Sequence, residues 1–126
     1  MSIHGIGIDA ADVPRISRLQ RSSGGFVRHW FTRDEIARCD AAERPELAYA
    51  GRFAAKEAVW KALRLEGWPG AVPWRLIAIR DEGVRVRVEL AGEVATRAAD
   101  AGIGPIQVDW LVADSVAVAV AIAESR

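Results

Sequence analysis

Lysine and cysteine are almost absent from the sequence. Of the 17 basic residues in this chain of 126, only Lys56 and Lys61 are lysines. The one cysteine, Cys39, cannot form an internal disulfide, which favours a reducing compartment and excludes a cysteine-rich zinc site. The chain has no run of 18 apolar residues and does not open on a basic segment followed by an apolar one, so neither a membrane-spanning helix nor a secretory signal is predicted. We therefore expect a cytoplasmic protein without a membrane partner.

An excess of charge of either sign is also missing. Seventeen acidic residues balance the 17 basic ones, which argues against the broad positive field that attracts nucleic acids. Hydrophobic residues make up 51% of the chain and charged residues 27%, as in an ordinary globular protein. The length predicts one domain over residues 1–126, large enough to bury a core.

The pattern of apolar residues predicts an α+β protein with a mainly antiparallel sheet and a long central helix. Two glycines in the first predicted strand, Gly5 and Gly7, indicate that another element packs closely against it. "TRDE" at 32–35 fits a capping box that starts a short helix. The predicted strands cover residues 2–9, 76–81, 84–90, 106–112 and 115–123, and the predicted helices cover 13–19, about 33–39, about 45–64 and 92–102.

The last predicted strand, "SVAVAVAIA" at 115–123, carries valine on one face and alanine on the other. Strand side chains alternate between the two faces of a sheet. The small alanines therefore predict that a helix or a second subunit lies close to that face.

Three residues are candidates for a catalytic site, and each has an ordinary alternative. Glu57 and Lys61 have the i,i+4 spacing of a surface ion pair on a helix, which contributes about 0.2–0.5 kcal/mol. Asp9 ends the glycine-containing strand, where an acidic residue often caps a helix or a turn. Taken one at a time, these residues indicate no more than solvated side chains.

Two segments together resemble a known family. "GIGIDAADVPRI" at 5–16 and "AGRFAAKEAVWKA" at 50–62 are similar to the paired signatures of the holo-acyl-carrier-protein synthase type of 4′-phosphopantetheinyl transferase. "FTRDE" at 31–35 and the order of the later elements agree, so the resemblance spans nearly the whole chain. It implies that family's fold, a homotrimer, and a transferase of fatty acid or polyketide biosynthesis. It does not indicate which carrier protein is served.

The reaction implied by the resemblance moves 4′-phosphopantetheine from coenzyme A to a serine of an acyl carrier protein and releases adenosine 3′,5′-bisphosphate. The resemblance makes Asp9 and Glu57 the ligands of Mg²⁺, a cation usually held by one or two carboxylates together with substrate phosphates and water. Lys61, one helical turn from Glu57, would place its charge against the pyrophosphate. Either a metal-bound water or Glu57 would accept the serine proton, and the sequence does not decide between them.

Further basic residues match family positions. Arg44 and Arg52 match positions near the 3′-phosphate of coenzyme A, and each has a surface arginine as its ordinary alternative. Lys56 projects about 100° around the helix from Glu57, so we expect it either to bind phosphate or to be solvated. Arg15 matches the position that meets the acidic helix of the carrier protein.

The sequence departs from the family pattern near its C-terminus. The resemblance leads one to expect a Ser-x-Ser-His turn before the last strand, but "DWLV" stands at 109–112. Asp109 and Leu111 replace the serines, Val112 replaces the histidine, and Asp109 would repel phosphates unless it is turned away or paired. Two explanations stay open: a working transferase with a reshaped pocket, or a relative that binds a carrier protein without transferring the arm or that carries out altered chemistry. The intact Asp9, Glu57 and Lys61 favour the first.

Overall fold

The computed structural model describes residues 2–126. Five strands and five α-helices follow one another, with a single 3₁₀ turn between the longest helix and the second strand. The strands are β1 Ile3–Asp12, β2 Ile77–Glu82, β3 Arg85–Leu90, β4 Ile103–Val112 and β5 Val116–Ser125. The helices are α1 Val13–Arg21, α2 Phe26–Trp30, α3 Arg33–Asp40, α4 Pro45–Leu63 and α5 Gly92–Asp100, and the 3₁₀ turn is Trp74–Leu76.

All strand pairings among the described residues are antiparallel. One sheet has the order β1-β5-β4, and β2 and β3 form a separate hairpin. The long helix α4 packs across β1, β5 and β4 of the larger sheet. The predicted α+β fold with a mainly antiparallel sheet and a long central helix is confirmed.

Two glycines of β1 let α4 approach the sheet closely. A Cβ atom at Gly7 would collide with the carbonyl oxygen of Ala58, and one at Gly5 with that of Ala62. Gly5, Gly7 and Asp9 occupy successive inward positions of β1, because alternate residues of a strand share a face. The close packing predicted at the glycines is therefore present, and it brings the next inward residue, Asp9, up to α4.

The alternation along β5 separates a buried face from an exposed one. The alanines, represented by Ala119 and Ala121, are fully buried under α4. The helix expected against the small residues is thus α4. On the opposite face Val118, Val120 and Ile122 remain 36–43% exposed, and no element of residues 2–126 covers them.

That second side of the sheet, which we call the outer face, exposes apolar side chains on all three strands, with Asp109 of β4 among them. In β1, Ile6 lies beside Ile122 and Ile8 beside Val120, and both isoleucines are more than half exposed. In β4, Leu111 is 79% exposed. Apolar patches of this kind on soluble proteins mark interaction surfaces.

The boundaries differ from the predicted ones at several elements, and strand β1 continues through Asp9 to Asp12 instead of ending at Asp9. Residues 26–30, to which the sequence pattern assigned no element, form α2, whose aromatic residues pack on the core. Strand β4 starts at Ile103, earlier than predicted, because its pairing with β5 continues through a β-bulge before Ile106.

The capping box is present as predicted: Thr32 and Glu35 exchange backbone and side-chain hydrogen bonds at the start of α3. No helix among residues 2–126 is both long and apolar enough to cross a bilayer.

Candidate active site

Asp9 and Glu57 meet where α4 crosses β1. The side chains of Asp9 and Glu57 are close enough to interact directly, and the Asp9 side chain is only 13% exposed. Burial, the hydrogen bond to Asp9 and the negative charge of Asp9 raise the pKa of Glu57 from 4.5 to about 7, although the positive charges of Lys61 and Arg15 lower it. The structure therefore holds two carboxyl groups in contact, although 47 residues separate them in the sequence.

Lys61 is paired with Asp9 across the strand–helix contact. Its Nζ donates to Asp9 Oδ1 at 2.6 Å and to the backbone oxygen of Ile8 at 3.1 Å, and its side chain is half exposed. The hydrogen bond to Asp9 raises the pKa of the Lys61 ammonium. The ordinary alternative, an ion pair between Glu57 and Lys61 on the helix surface, is not what the structure shows, because Lys61 reaches back to β1.

The two carboxyl groups suit a hard divalent cation. When both groups are ionised their like charges repel, and a cation between them would remove that repulsion. Among the described residues no group of three or more His, Cys, Asp or Glu side chains is placed to hold a metal. Two carboxylates are a donor set that suits Mg²⁺, because this cation completes its shell with water and substrate phosphates. Structural zinc, by contrast, needs four protein ligands.

The prediction that Lys56 binds phosphate or is solvated is wrong. The side chain is fully buried, and its ammonium pairs with Glu35 Oε1 at 2.7 Å. It also donates to the backbone oxygens of Trp30, at 2.9 Å, and Trp74, at 3.1 Å. All three ammonium protons thus have partners inside the chain, so Lys56 connects α4 to α2, α3 and the 3₁₀ turn.

The prediction that Arg52 meets a phosphate of coenzyme A is also contradicted. The Arg52 side chain is 8% exposed and pairs with Asp81 at 2.6 Å, while its Nη1 donates to the backbone oxygen of Ile79 at 2.7 Å. The guanidinium lies over the ring of Trp110 at 5.8 Å. Arg52 therefore fastens strand β2 to α4 from the inside.

Arg44 is exposed, but it lies far from the carboxyl pair. It precedes α4 and contacts Glu46 Oε1 through Nε at 3.0 Å and Asp114 Oδ1 through Nη1 at 3.4 Å. Glu57 follows 13 residues later on the same helix, a separation of about 20 Å at 1.5 Å per residue. The structure therefore does not bring Arg44 to the carboxyl pair of its own chain.

Arg15 lies on the same side of the molecule as the carboxyl pair. It stands in the first turn of α1, where its backbone N–H donates to the capping carboxylate of Asp12 at 2.9 Å. Its side chain is exposed, and its positive charge lowers the pKa of Glu57. A partner that contacts Arg15 would therefore be next to the candidate site.

Residues 109–112 form part of strand β4 rather than a turn. The turn comes after them, with Ala113 N donating to the backbone oxygen of Val116. Asp109 is exposed on the outer face, beside Val120, and its Oδ1 accepts from the backbone N–H of Trp110 at 2.8 Å. Val112 lies on the opposite face, toward Gly51 of α4. The residues that replace the expected serines and the one that replaces the expected histidine thus point to opposite sides of the sheet.

Sequence reasoning missed the acidic residues that engage the arginines and Lys56. Glu35 was identified only as a capping residue, yet Ile79 N also donates to its second oxygen at 2.9 Å. Asp81 and Asp114 carried no signal, because they lie far along the chain from the arginines they contact. The scarcity of lysine was the only hint that Lys56 has a special environment.

Comparisons with known proteins all identify the same family. The family model for the 4′-phosphopantetheinyl transferase superfamily matches residues 5–121. A holo-[acyl-carrier-protein] synthase of Moorella thermoacetica is 38% identical over 94% of this chain and 92% of its own length. One of Streptomyces avermitilis is 37% identical over 98% of this chain and 99% of its own. The crystal structure of the holo-[acyl-carrier-protein] synthase from Neisseria meningitidis superposes with a TM-score of 0.85 at 29% identity, covering 98% of this chain and 99% of that one.

Proposed function

The chain belongs to the 4′-phosphopantetheinyl transferase superfamily and, within it, to the holo-[acyl-carrier-protein] synthases, and from this membership we propose that it transfers 4′-phosphopantetheine from coenzyme A to a serine of an acyl carrier protein. In this reaction the serine oxygen bonds to the β-phosphorus, and the serine proton passes to a base, either Glu57 or a water molecule. The bond between the β-phosphorus and the oxygen that bridges the two phosphates of the pyrophosphate breaks, and adenosine 3′,5′-bisphosphate departs. We expect the reaction to take place in the cytoplasm, in line with the near absence of cysteine.

The observation that carries this proposal is the convergence of Asp9, Glu57 and Lys61. Two carboxyl groups in contact and an ammonium 2.6 Å from one of them come from a strand and a helix, which hold side chains more rigidly than loops do. An arrangement of this kind suits a pyrophosphate, whose transfer depends on positioning and on neutralising charge.

Asp9 and Glu57 would hold Mg²⁺, which would supply positive charge to the pyrophosphate oxygens. Lys61 contributes a second positive charge from the exposed side of the pair, where its half-exposed side chain can meet a phosphate oxygen. The contact between Lys61 and Asp9 also fixes the orientation of the Asp9 carboxylate, since Lys61 is anchored by the backbone oxygen of Ile8 as well.

Two observations support an association in which neighbouring copies share each site, and the resemblance to the family makes this association a homotrimer. The outer face exposes Ile8, Leu111 and Val120, which a second copy would cover. Arg44 lies about 20 Å from Glu57 along α4, whereas the 3′-phosphate and the pyrophosphate of coenzyme A are attached to one ribose. We therefore assign Arg44 to the 3′-phosphate of a coenzyme A molecule bound at the carboxyl pair of a neighbouring copy.

The exposed basic face of α1 is the docking surface that we propose for the carrier protein. Arg15 and Arg18 are both exposed there, and the charge of Arg15 reaches Glu57. An acidic helix bound to these arginines would bring its adjacent serine to the carboxyl pair. Complementary charges of this kind speed encounter and set orientation.

The test is incubation of the protein with coenzyme A, Mg²⁺ and an apo-acyl carrier protein, followed by intact mass measurement of the carrier. We expect a mass gain equal to one phosphopantetheine arm and the appearance of adenosine 3′,5′-bisphosphate. No gain with carriers of both fatty acid and polyketide type, together with retained carrier binding, would contradict the proposal and indicate a non-catalytic carrier-binding relative.

A further inference from the structure

The guanidinium of Arg44 has no free edge for a phosphate. Glu46 engages Nε at 3.0 Å, and Asp114 engages Nη1 at 3.4 Å. An arginine binds a phosphate or carboxylate bidentately through either the Nε/Nη2 edge or the Nη1/Nη2 end. Each of these two pairs of nitrogens already has one member bound to a carboxylate of the same chain.

We propose that Asp114 competes with the 3′-phosphate of coenzyme A for Arg44 and thereby weakens the selectivity of this enzyme for coenzyme A over 3′-dephospho-coenzyme A. This inference rests on the proposed function, in which Arg44 meets that phosphate. Asp114 is a residue of the turn between β4 and β5 and has no other ion-pair partner among residues 2–126. Glu46 belongs to the first turn of α4 and is less exposed, at 29%, than Asp114, at 96%.

The exposure of Arg44 and Asp114 determines how much their ion pair weakens binding of the 3′-phosphate. Arg44 is 53% exposed and Asp114 is 96% exposed, and ion pairs between such side chains are weak. A phosphate can therefore displace Asp114 from Arg44. Its net binding free energy is then smaller by the small free energy of the Arg44–Asp114 ion pair. Removal of the Asp114 charge should strengthen binding of a 3′-phosphate by about two- to fivefold.

A nucleotide pair that differs only in the 3′-phosphate isolates this effect. Binding of adenosine 3′,5′-bisphosphate and of adenosine 5′-monophosphate is measured by titration calorimetry, without carrier protein or turnover. Asp114→Asn should tighten binding of the bisphosphate by about two- to fivefold and leave binding of the monophosphate unchanged. Asp100→Asn is the matched control, because Asp100 is an exposed aspartate on α5, and the same loss of one negative charge there should change neither affinity.

A double-mutant cycle ties the effect to Arg44. In the Arg44→Ala background, Asp114→Asn should no longer alter binding of the bisphosphate. Equal tightening of both nucleotides, or tightening that persists without Arg44, would overturn the inference, as would no change at all. If the carrier gains a phosphopantetheine arm but the selectivity does not respond to Asp114, only this inference fails. If the wild-type protein neither transfers the arm nor binds the bisphosphate, the proposed function fails and the inference fails with it.

Discussion

Lys61 donates to Asp9 Oδ1 at 2.6 Å, although Glu57 lies one helical turn away from it on the same helix. The pair joins α4 to β1 at the point where the two carboxyl groups meet. The half-exposed ammonium is thus fixed at the edge of the site, facing solvent, where a negatively charged substrate would arrive. This relationship, rather than a helix-surface pair, is the basis on which Lys61 is assigned to the pyrophosphate.

Removal of either carboxylate should stop transfer without unfolding the protein. Asp9→Asn and Glu57→Gln each remove a proposed metal ligand, so we expect at least a 100-fold loss of kcat/KM, about 2.7 kcal/mol of transition-state stabilisation. The repulsion between the two groups disappears in either variant, so the free energy of unfolding should stay level or rise. Transfer measured by carrier mass and unfolding measured in urea test these two statements. Near-normal turnover in either variant would contradict the metal assignment.

The two lysines provide a matched pair of substitutions with opposite expected effects. Lys56→Met leaves the buried Glu35 carboxylate without its counter-charge, so the free energy of unfolding should fall by about 3–5 kcal/mol. Lys61→Met removes an exposed ammonium, so stability should change by less than about 1 kcal/mol, while transfer should fall at least tenfold. Urea unfolding and initial rates on both variants distinguish the roles. If Lys56→Met leaves stability unchanged and weakens binding of coenzyme A, the structural assignment of Lys56 is wrong.

The fold was predictable because local patterns determine it. The alternation of valine and alanine in β5 and the glycines of β1 both describe contacts with α4, and they could be interpreted without knowing the rest of the structure. Asp9 and Glu57 were brought together by their resemblance to a family signature, not by spacing alone. Sequence patterns therefore predicted the elements, and the resemblance predicted that the two carboxyl groups meet.

The ion pairs were not predictable because they join residues distant in sequence. Lys56 and Arg52 look like surface residues of an amphipathic helix, and only the packing of α3 and β2 around α4 shows that both are buried. Their burial depends on Glu35 and Asp81, which lie 21 and 29 residues away. The sequence pattern of α4 alone does not indicate which of its basic residues the other elements enclose.

Cys39 should make stability depend on pH above neutrality. The side chain is 1% exposed, and burial raises the pKa of its thiol from 9.0 to about 11. The folded protein therefore holds this proton more tightly than the unfolded chain does. Stability attributable to Cys39 is fully present below pH 9 and is lost as the pH rises toward 11, by about 3 kcal/mol in total.

The comparison that isolates this contribution is between the wild type and Cys39→Ala across pH 8 to 11. The variant has lower stability at pH 8 because it lacks buried sulfur, but its unfolding free energy should fall less steeply above pH 9. Native protein at pH 8 should also react with a thiol reagent only in step with unfolding, because the thiol is buried and protonated. Rapid labelling of the native protein would show that Cys39 is accessible.

The outer face should hold the copies together, and one charge there should separate them. Val120 lies in the middle strand of this face, between Ile8 of β1 and Asp109 of β4, and is 42% exposed in the single chain. A glutamate at this position would be buried next to Asp109 when copies associate, and a buried, unpaired charge beside another of the same sign is unfavourable. Val120→Glu should therefore run as a monomer in light scattering, where we expect the wild type to run as a trimer. It should also lose transfer, because Arg44 would no longer reach the site of a neighbouring copy.

Ala99→Glu on the exposed side of α5 adds the same charge away from the sheet and should stay trimeric and active. A Val120→Glu variant that remains trimeric would place the interface elsewhere, and a monomeric variant with full activity would show that each chain contains a complete site.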